Sequence, residues 1–470
     1  MEFAETLPAP RRGYYTAAFA FVLYGGVLFT KILVYECGTP VSPGWKWLLV
    51  LNVIEACGWT CWVLKRHGAR LGPVLLLLPL TCTLYSTIPV CLLAAGLDIF
   101  SFSDASVRSG MFMQSLMATN LWAFWCVMFS RKHGERCLAK INSWFDSLTV
   151  SPTGVWMFIL AGMAIAIACL ANFFISGAAG MVGSASRLEL MATSETGKLW
   201  LFDLCFVSWL MICAVFWNSK KVRVTLGLWH IIFALLAIAM FMYPYLLLGN
   251  RNEMAIALIF VSLLLCLRGR VWQVIAFASL YVPTLLYFGF TRGETSQSLA
   301  VAYANPVTLY LGLFGEFVFP HYPLLYHISS RQDLWYGWGY VRLPATVFPT
   351  FGLWKKQISL ALQFSLDYGG VGGMGYAYTP LGEGYANFGV LSVVVVPLYI
   401  AVCGRIFTSM RFAAPLFFLV FLAISLDINR GEFGSIAQSI ICMVTMMYGF
   451  LAISRAPFKI KWLGLKKAGN

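Results

Sequence analysis

Residues Asn387 to Gly404 read NFGVLSVVVVPLYIAVCG, with no Asp, Glu, Lys or Arg among them, and Arg405 follows at once. A helix needs about 20 mainly apolar residues to cross roughly 30 Å of bilayer hydrocarbon, and this run is of that kind. Working outward, the pattern recurs at Tyr14 to Val34, Trp47 to Leu64, Leu71 to Leu97, Met111 to Ser130, Gly154 to Ile175 and Leu199 to Trp217. It continues at Val224 to Leu248, Asn252 to Leu267, Val271 to Phe290, Phe412 to Leu426 and Phe433 to Ser454. The expectation is an all-α polytopic membrane protein of about twelve transmembrane helices. Composition agrees: 60% of the 470 residues are hydrophobic and 11% are charged, against roughly 25% charged in soluble domains. A cytosolic enzyme, a nucleic-acid reader and a disulfide-stapled secreted module are excluded. No linker, low-complexity tract or repeat breaks the series, so 1–470 reads as a single integral-membrane domain.

Orientation follows from where Lys and Arg fall, because short cytoplasmic loops are enriched in them. With the N-terminus inside, 21 of the 33 cations sit on the inner side, 11 outside, and Lys31 near the outer end of the first span. Both termini are therefore expected in the cytoplasm, with Arg11 and Arg12 as an orientation signal rather than an export signal. Acidic residues show the reverse bias: 13 of 19 face out, while Glu55 and Asp203 lie within spans. Chemistry is thus expected at the outer face.

The longest connection runs from Thr291 to Ala386 and is expected to be periplasmic. Long loops in compact proteins are usually functional. This one holds Glu294, Glu316, His321, His327, Arg331, Arg342 and Glu383 among aromatics that include Tyr322, Tyr326, Trp335, Tyr336, Trp338 and Tyr340. Flat aromatic faces beside planar charged groups suit a sugar, whose ring offers an apolar C–H face and an edge of hydroxyls; aromatics also gather at bilayer interfaces. The stretch Phe351 to Leu366 reads as an amphipathic helix on the outer leaflet.

Gly370, Gly372 and Gly375 satisfy G-x-G-x-x-G, but no strand precedes them and no βαβ unit surrounds them, so a dinucleotide site is not expected. His321 and His327 lack a third ligand at metal spacing, and neither a metal nor another cofactor is expected.

Three arginine–carboxylate groups stand at the outer ends of spans. Asn250, Arg251, Asn252 and Glu253 join the seventh and eighth, Arg292 and Glu294 follow the ninth, and Asp427, Arg430 and Glu432 separate the last two. Each alone fits a snorkelling anchor with its counter-ion. Together they suit a lipid-linked phosphate or diphosphate, because a guanidinium is permanently charged and binds phosphate through two parallel bonds.

The run GGVGGMGYAYTPLGEGYANFG and the span VLSVVVVPLYIAV after it resemble the corresponding segment of Wzy-type O-antigen and capsule repeat-unit polymerases. The GNRNE turn at Gly249 to Glu253 resembles their Gly-Ser-Arg-Gly-like turn, with Asn where Ser and Gly are common. The resemblance implies a GT-C-like membrane glycosyltransferase of the bacterial inner membrane that joins oligosaccharide repeat units on undecaprenyl diphosphate at the periplasmic face. It implies Arg251 and Arg292 for the diphosphate and Glu383 as base, with His321 and Glu294 as substitutes. Glu316, Arg331, Arg342, Arg430 and Glu432 would line the glycan path. With no metal motif, arginines would supply the positive charge. The implied partners are undecaprenyl-diphosphate-linked oligosaccharides, membrane lipids, a chain-length regulator and a flippase, with no nucleic acid. Two other readings stay open: an O-antigen ligase of similar architecture, and a lipid-linked-sugar flippase or transporter.

Overall fold

A computed structural model describes residues 24–32, 35, 43–175, 196–248, 252–279, 314–330, 334–341, 364, 378–409 and 414–455. Every regular element among them is helical. After helical residues 24–32 come α1 Pro43–Ala94, α2 Asp104–Met128, α3 Arg131–Ser147, α4 Pro152–Ile175, α5 Thr196–Asn218, α6 Lys220–Thr225, α7 Leu228–Leu248 and α8 Asn252–Leu267. A 3-10 turn at Phe319–His321 leads into α9 Tyr322–Ser330, followed by α10 Trp338–Val341 and α11 Pro380–Phe388. A second 3-10 turn, Gly389–Leu391, leads into α12 Ser392–Ser409, then α13 Ala414–Ala423, α14 Ser425–Ile428 and α15 Phe433–Arg455.

Among the described residues, four helical stretches are long and apolar enough to cross a membrane: Gly44–Ala94, Pro152–Ile175, Pro380–Ser409 and Phe433–Arg455. The pair α2 and α3, bent by 74° at its break, counts as a fifth only when taken as one broken span, and shorter apolar helices lie within α5, α7 and α8. α1 holds 52 residues, a rise of roughly 78 Å and more than twice the hydrocarbon thickness. Gly68 divides it, with φ 72° and ψ −179°, a backbone shape that a Cβ would forbid. Its two arms contain the expected spans Trp47 to Leu64 and most of Leu71 to Leu97.

Elsewhere the structure departs from the expected spans. Phe412 to Leu426 is not one regular helix, because α13 ends at Ala423 and the separate turn α14 follows. Ten residues of α13 rise only about 15 Å. Beyond the bend after α2, α3 exposes Arg131, Lys132, Arg136 and Lys140 and buries Cys137, Ile141 and Phe145, the pattern of a helix lying along a membrane surface. Residues 14–23 and 280–290 of the first and ninth expected spans lie outside the described residues.

The chain divides into two compact units. One comprises Met1–Leu138, Cys266–Ala276 and Gln297–Gln438, the other Ala139–Leu265, Phe277–Ser296 and Ser439–Asn470. In the first unit α2 packs against α1, α9 and α12, and α11 packs against α9 and α12. In the second, α4 packs against α5 and α7.

Prolines supply much of the joinery in the first unit. A proline offers no N–H to the carbonyl four residues back, so each one inside a helix releases a backbone acceptor that must find another donor where water is scarce. Pro79 releases the carbonyl of Leu75, which accepts from Trp125 Nε1 at 2.9 Å. Pro89 releases that of Tyr85, which accepts from His321 Nε2 at 2.9 Å. Pro397 releases that of Val393, which accepts from Asn120 Nδ2 at 2.8 Å, and Asn120 in turn accepts from the Tyr24 hydroxyl at 2.7 Å. These bonds join α1 to α2, α1 to the turn before α9, and α2 to α12.

Candidate functional site

The stretch LGEGYANFG gains a separate physical role for nearly every residue. Thr379 caps α11, its hydroxyl accepting from Gly382 N at 3.0 Å, and Pro380 occupies the first turn, where its missing N–H costs nothing. A Cβ on Gly384 would come within 2.3 Å of Val396, so only glycine lets α11 lie this close to α12. Asn387 accepts from Gly339 N at 2.9 Å and donates to the Glu383 carbonyl at 2.8 Å. Trp335 N also donates to the Ala386 carbonyl at 2.8 Å. The segment 334–341 is thereby strapped to α11. Gly389 ends the helix with φ 58°, the left-handed shape that glycine adopts without strain.

Glu383 lies in the first turn of α11, not on an open loop, and is 2% exposed. Its Oε2 accepts from Phe433 N at 2.8 Å, and among the described residues no cation pairs with it. Aromatic rings wall the neighbourhood. Tyr340 stacks on Phe388 with centroids 5.3 Å apart and meets Phe433 at 5.4 Å, while Tyr399 meets Phe433 at 5.0 Å. The Tyr340 hydroxyl is buried, with no hydrogen-bond partner among the described residues. Burial, then the nearby Glu383 carboxylate and Tyr399, push its pKa up, so it stays a neutral O–H donor. A buried carboxylate without a counter-ion is costly and marks a functional candidate. Phe433 begins α15, so Glu383 also serves as a cap at the positive end of that helix. The two roles are compatible and have different chemical requirements.

Glu316 and Arg430 meet although 114 residues separate them. Arg430 Nη1 reaches Glu316 Oε2 at 2.5 Å, while Nε and Nη2 donate to Asp427 Oδ1 at 3.0 and 2.8 Å. Arg430 thus spends its planar fork on two carboxylates, and the Asp427, Arg430 and Glu432 group gains a fourth member from the long connection. Sequence spacing carried no signal for that contact.

His321 is fully buried, and its Nε2–H donates to the carbonyl that Pro89 releases. Burial pushes its pKa down to about 4, against the raising effect of the Tyr85 and Phe317 carbonyls. A neutral, enclosed imidazole with Nε2 committed to the backbone fits a joint better than a base. The aromatics divide by exposure. Tyr322 donates to the Ile99 carbonyl and packs on Phe100 and Phe102. His327 Nε2 and the Tyr378 hydroxyl are 2.9 Å apart, and Tyr326 packs on Phe364. Tyr336, with φ 49°, and Trp338 are 85% and 55% exposed. Arg251, Arg292, Glu294, Arg331 and Arg342 lie outside the described residues, as does Phe351 to Leu366 apart from Phe364.

A second charged centre was only half visible in sequence. Lys31 is fully buried, and its ammonium reaches Glu55 Oε2 at 2.6 Å, Thr119 Oγ1 at 2.8 Å and the Ser115 carbonyl at 3.3 Å. Ser115 also donates to Asn52 at 2.6 Å. The signal was present: one Lys and one Glu, each alone in an apolar run, are the natural partners of one another.

Among the groups that could hold a metal, no cluster of three His, Cys, Asp or Glu occurs among the described residues. The chain matches no protein-family model, no curated protein and no solved structure.

Proposed function

We propose that the chain polymerises oligosaccharide repeat units carried on undecaprenyl diphosphate, as a metal-independent glycosyltransferase at the periplasmic face of the bacterial inner membrane, with twelve spans and both termini cytoplasmic. The observation that carries this reading is Glu383: the run whose resemblance suggested polymerisation holds a buried carboxylate that no cation among the described residues pairs with, walled by rings and beside a phenol donor. In the reaction, a hydroxyl of the newly arrived unit attacks the anomeric carbon of the growing glycan. The new glycosidic bond forms as the bond to the diphosphate oxygen breaks, the hydroxyl proton passes to Glu383, and the lipid diphosphate leaves with the bonding electron pair. Arg251 and Arg292 would stabilise that leaving group. Glu316, Arg331, Arg342, Arg430 and Glu432 would line the glycan path, with Tyr336 and Trp338 as exposed stacking faces.

The test uses purified protein in proteoliposomes with lipid-diphosphate-linked repeat units. Glu383→Gln preserves the acceptor that caps α15 but loses the base, so elongation should fall about 10²- to 10⁴-fold while the protein stays folded and binds donor. Normal product length in Glu383→Gln would overturn the base assignment. Transfer of finished chains to a lipid A core without elongation would replace polymerase by ligase.

The enclosed Lys31–Glu55 pair favours a second reading, a lipid-linked-sugar flippase, because ionisable groups inside membrane helices commonly mark transport paths. Movement of a fluorescent lipid-linked sugar across the same proteoliposomes, without elongation, would select it.

A further inference from the structure

The second unit contains a cleft of about 110 Å³ between α4, α5 and α7, lined by Phe158, Phe216, Trp217, Leu226, His230 and Leu235 among others. It is smaller than the 300 Å³ or more typical of sites for compact ligands, and its walls are almost wholly apolar. A segment of a hydrocarbon chain is the shape that fits.

One polar group breaks the apolar lining. Gly227 N donates to His230 Nδ1 at 3.0 Å, so Nδ1 carries the lone pair and Nε2 carries the hydrogen. That Nε2–H is buried and has no hydrogen-bond partner among the described residues, and Trp156 fixes the ring from one side with centroids 4.3 Å apart. A buried donor without an acceptor is an exception to the rule that such groups are satisfied.

The mouth of the cleft is joined to a basic helix. α6 reads KKVRVT, and Leu226 N closes its end by donating to the Arg223 carbonyl at 3.2 Å. Lys221 and Arg223 are exposed. Lys221 donates once, to the Asp146 carbonyl at 2.7 Å, which leaves two of its three hydrogens for another acceptor. Val224, Leu228 and Trp229 around this turn are 87%, 70% and 63% exposed, as suits side chains at the boundary between hydrocarbon and headgroups.

The combination points to a binding site for one anionic glycerophospholipid, distinct from the Glu383 neighbourhood and independent of any polymerase activity. Its phosphate would lie against Lys221 and Arg223, an ester carbonyl would accept from His230 Nε2, and part of an acyl chain would enter the cleft. The charge complementarity selects an anionic headgroup over a zwitterionic one.

The probes are palmitoyl-oleoyl phosphatidylglycerol and the matching phosphatidylcholine, titrated into the purified full chain in detergent, with bound lipids counted by native mass spectrometry. One phosphatidylglycerol should bind on the order of 10-fold more tightly than phosphatidylcholine. The Lys221→Gln/Arg223→Gln double variant, changed only at exposed positions, should lose that preference. Ala234→Trp, which fills the cleft, should weaken both lipids; should it fail to fold, Cys213→Leu narrows the same cleft from α5 and carries the same test. Equal affinity of the two lipids for the unaltered chain would overturn the site. Unchanged affinity in the cleft-filling variant, or displacement by inorganic phosphate at millimolar concentration, would overturn it in favour of a simple surface anion effect.

Discussion

The first unit holds one fully enclosed charged centre and one half-buried centre, and they solve the same problem in opposite ways. At the Lys31 centre one cation meets one carboxylate at 2.6 Å, with both side chains at 3% exposure or less, and hydroxyl and carbonyl oxygens complete the ammonium's shell. Around α11, α14 and the start of α15 the balance is uneven. Arg430 is shared by Glu316 and Asp427, and Glu383 has a backbone amide in place of a cation. The pair is matched in charge and enclosed, with Glu55 Oε1 left without a hydrogen-bond partner among the described residues. A half-buried, carboxylate-rich centre is one that a substrate hydroxyl or a cation could complete. The difference separates a structural use of charge from a candidate chemical one.

The sharpest way to break that comparison is at Lys31. Removing one partner of a buried pair leaves an uncompensated charge, whereas replacing both by apolar groups can be neutral or even stabilising. Lys31→Met should therefore destabilise the protein by about 3–5 kcal/mol. Lys31→Met/Glu55→Leu should recover most of that loss and, on the polymerase reading, retain elongation. The two variants are compared by thermal unfolding in one detergent. A double variant that is stable yet inactive in lipid-linked-sugar movement would instead make this centre functional and favour the flippase.

Much of the fold was legible because bilayer crossing demands long apolar runs, and Trp47 to Leu64, Gly154 to Ile175 and Phe433 to Ser454 are close to helices of the structure. Gly68 was harder to read, since a single glycine between two spans looks like any loop residue until its backbone angles are known. Of the site, Glu383 was legible through the run that contains it, but its burial and its amide donor depend on Phe433, 50 residues later. The Glu316–Arg430 pair and the strap from Asn387 to Gly339 are likewise contacts that no local spacing encodes. The proline joints were half legible: each proline announces which carbonyl it releases, but not which side chain answers.

That half-legible rule yields a smaller and cleaner effect. Asn120→Leu keeps the branched shape and leaves the Val393 carbonyl without its donor and the Tyr24 hydroxyl without its acceptor, at a cost of about 1–3 kcal/mol. Restoring an N–H in the helix should repair it, so Pro397→Ala in the Asn120→Leu background should cost less than Pro397→Ala alone. A double-mutant cycle on unfolding free energies measures that coupling. Strict additivity would show that Asn120 supports α12 by some other means, and the contrast between the charged centres would lose the joint that attaches α12 to α2.

The pH-dependent effect concerns His321, the joint on the Tyr85 carbonyl. His321 has its pKa lowered to about 4 by burial, against about 6.5 for the unfolded chain. For a base whose folded value is depressed, the unfolded state binds the extra proton first, so stability is full above about pH 6.5 and declines as pH falls towards about 4. At pH 5 the loss from this one group is about 2 kcal/mol. His321→Gln can still donate to the Tyr85 carbonyl through its amide but does not titrate. That variant should lose the part of the acid sensitivity between pH 6.5 and 4 that His321 causes, at a constant cost from imperfect packing. If His321 were the catalytic base instead, Gln would abolish elongation at every pH while leaving the pH dependence of unfolding to the remaining groups. Measuring unfolding and elongation on the same variant thus decides whether this histidine is a joint between α1 and the turn before α9 or part of the chemistry.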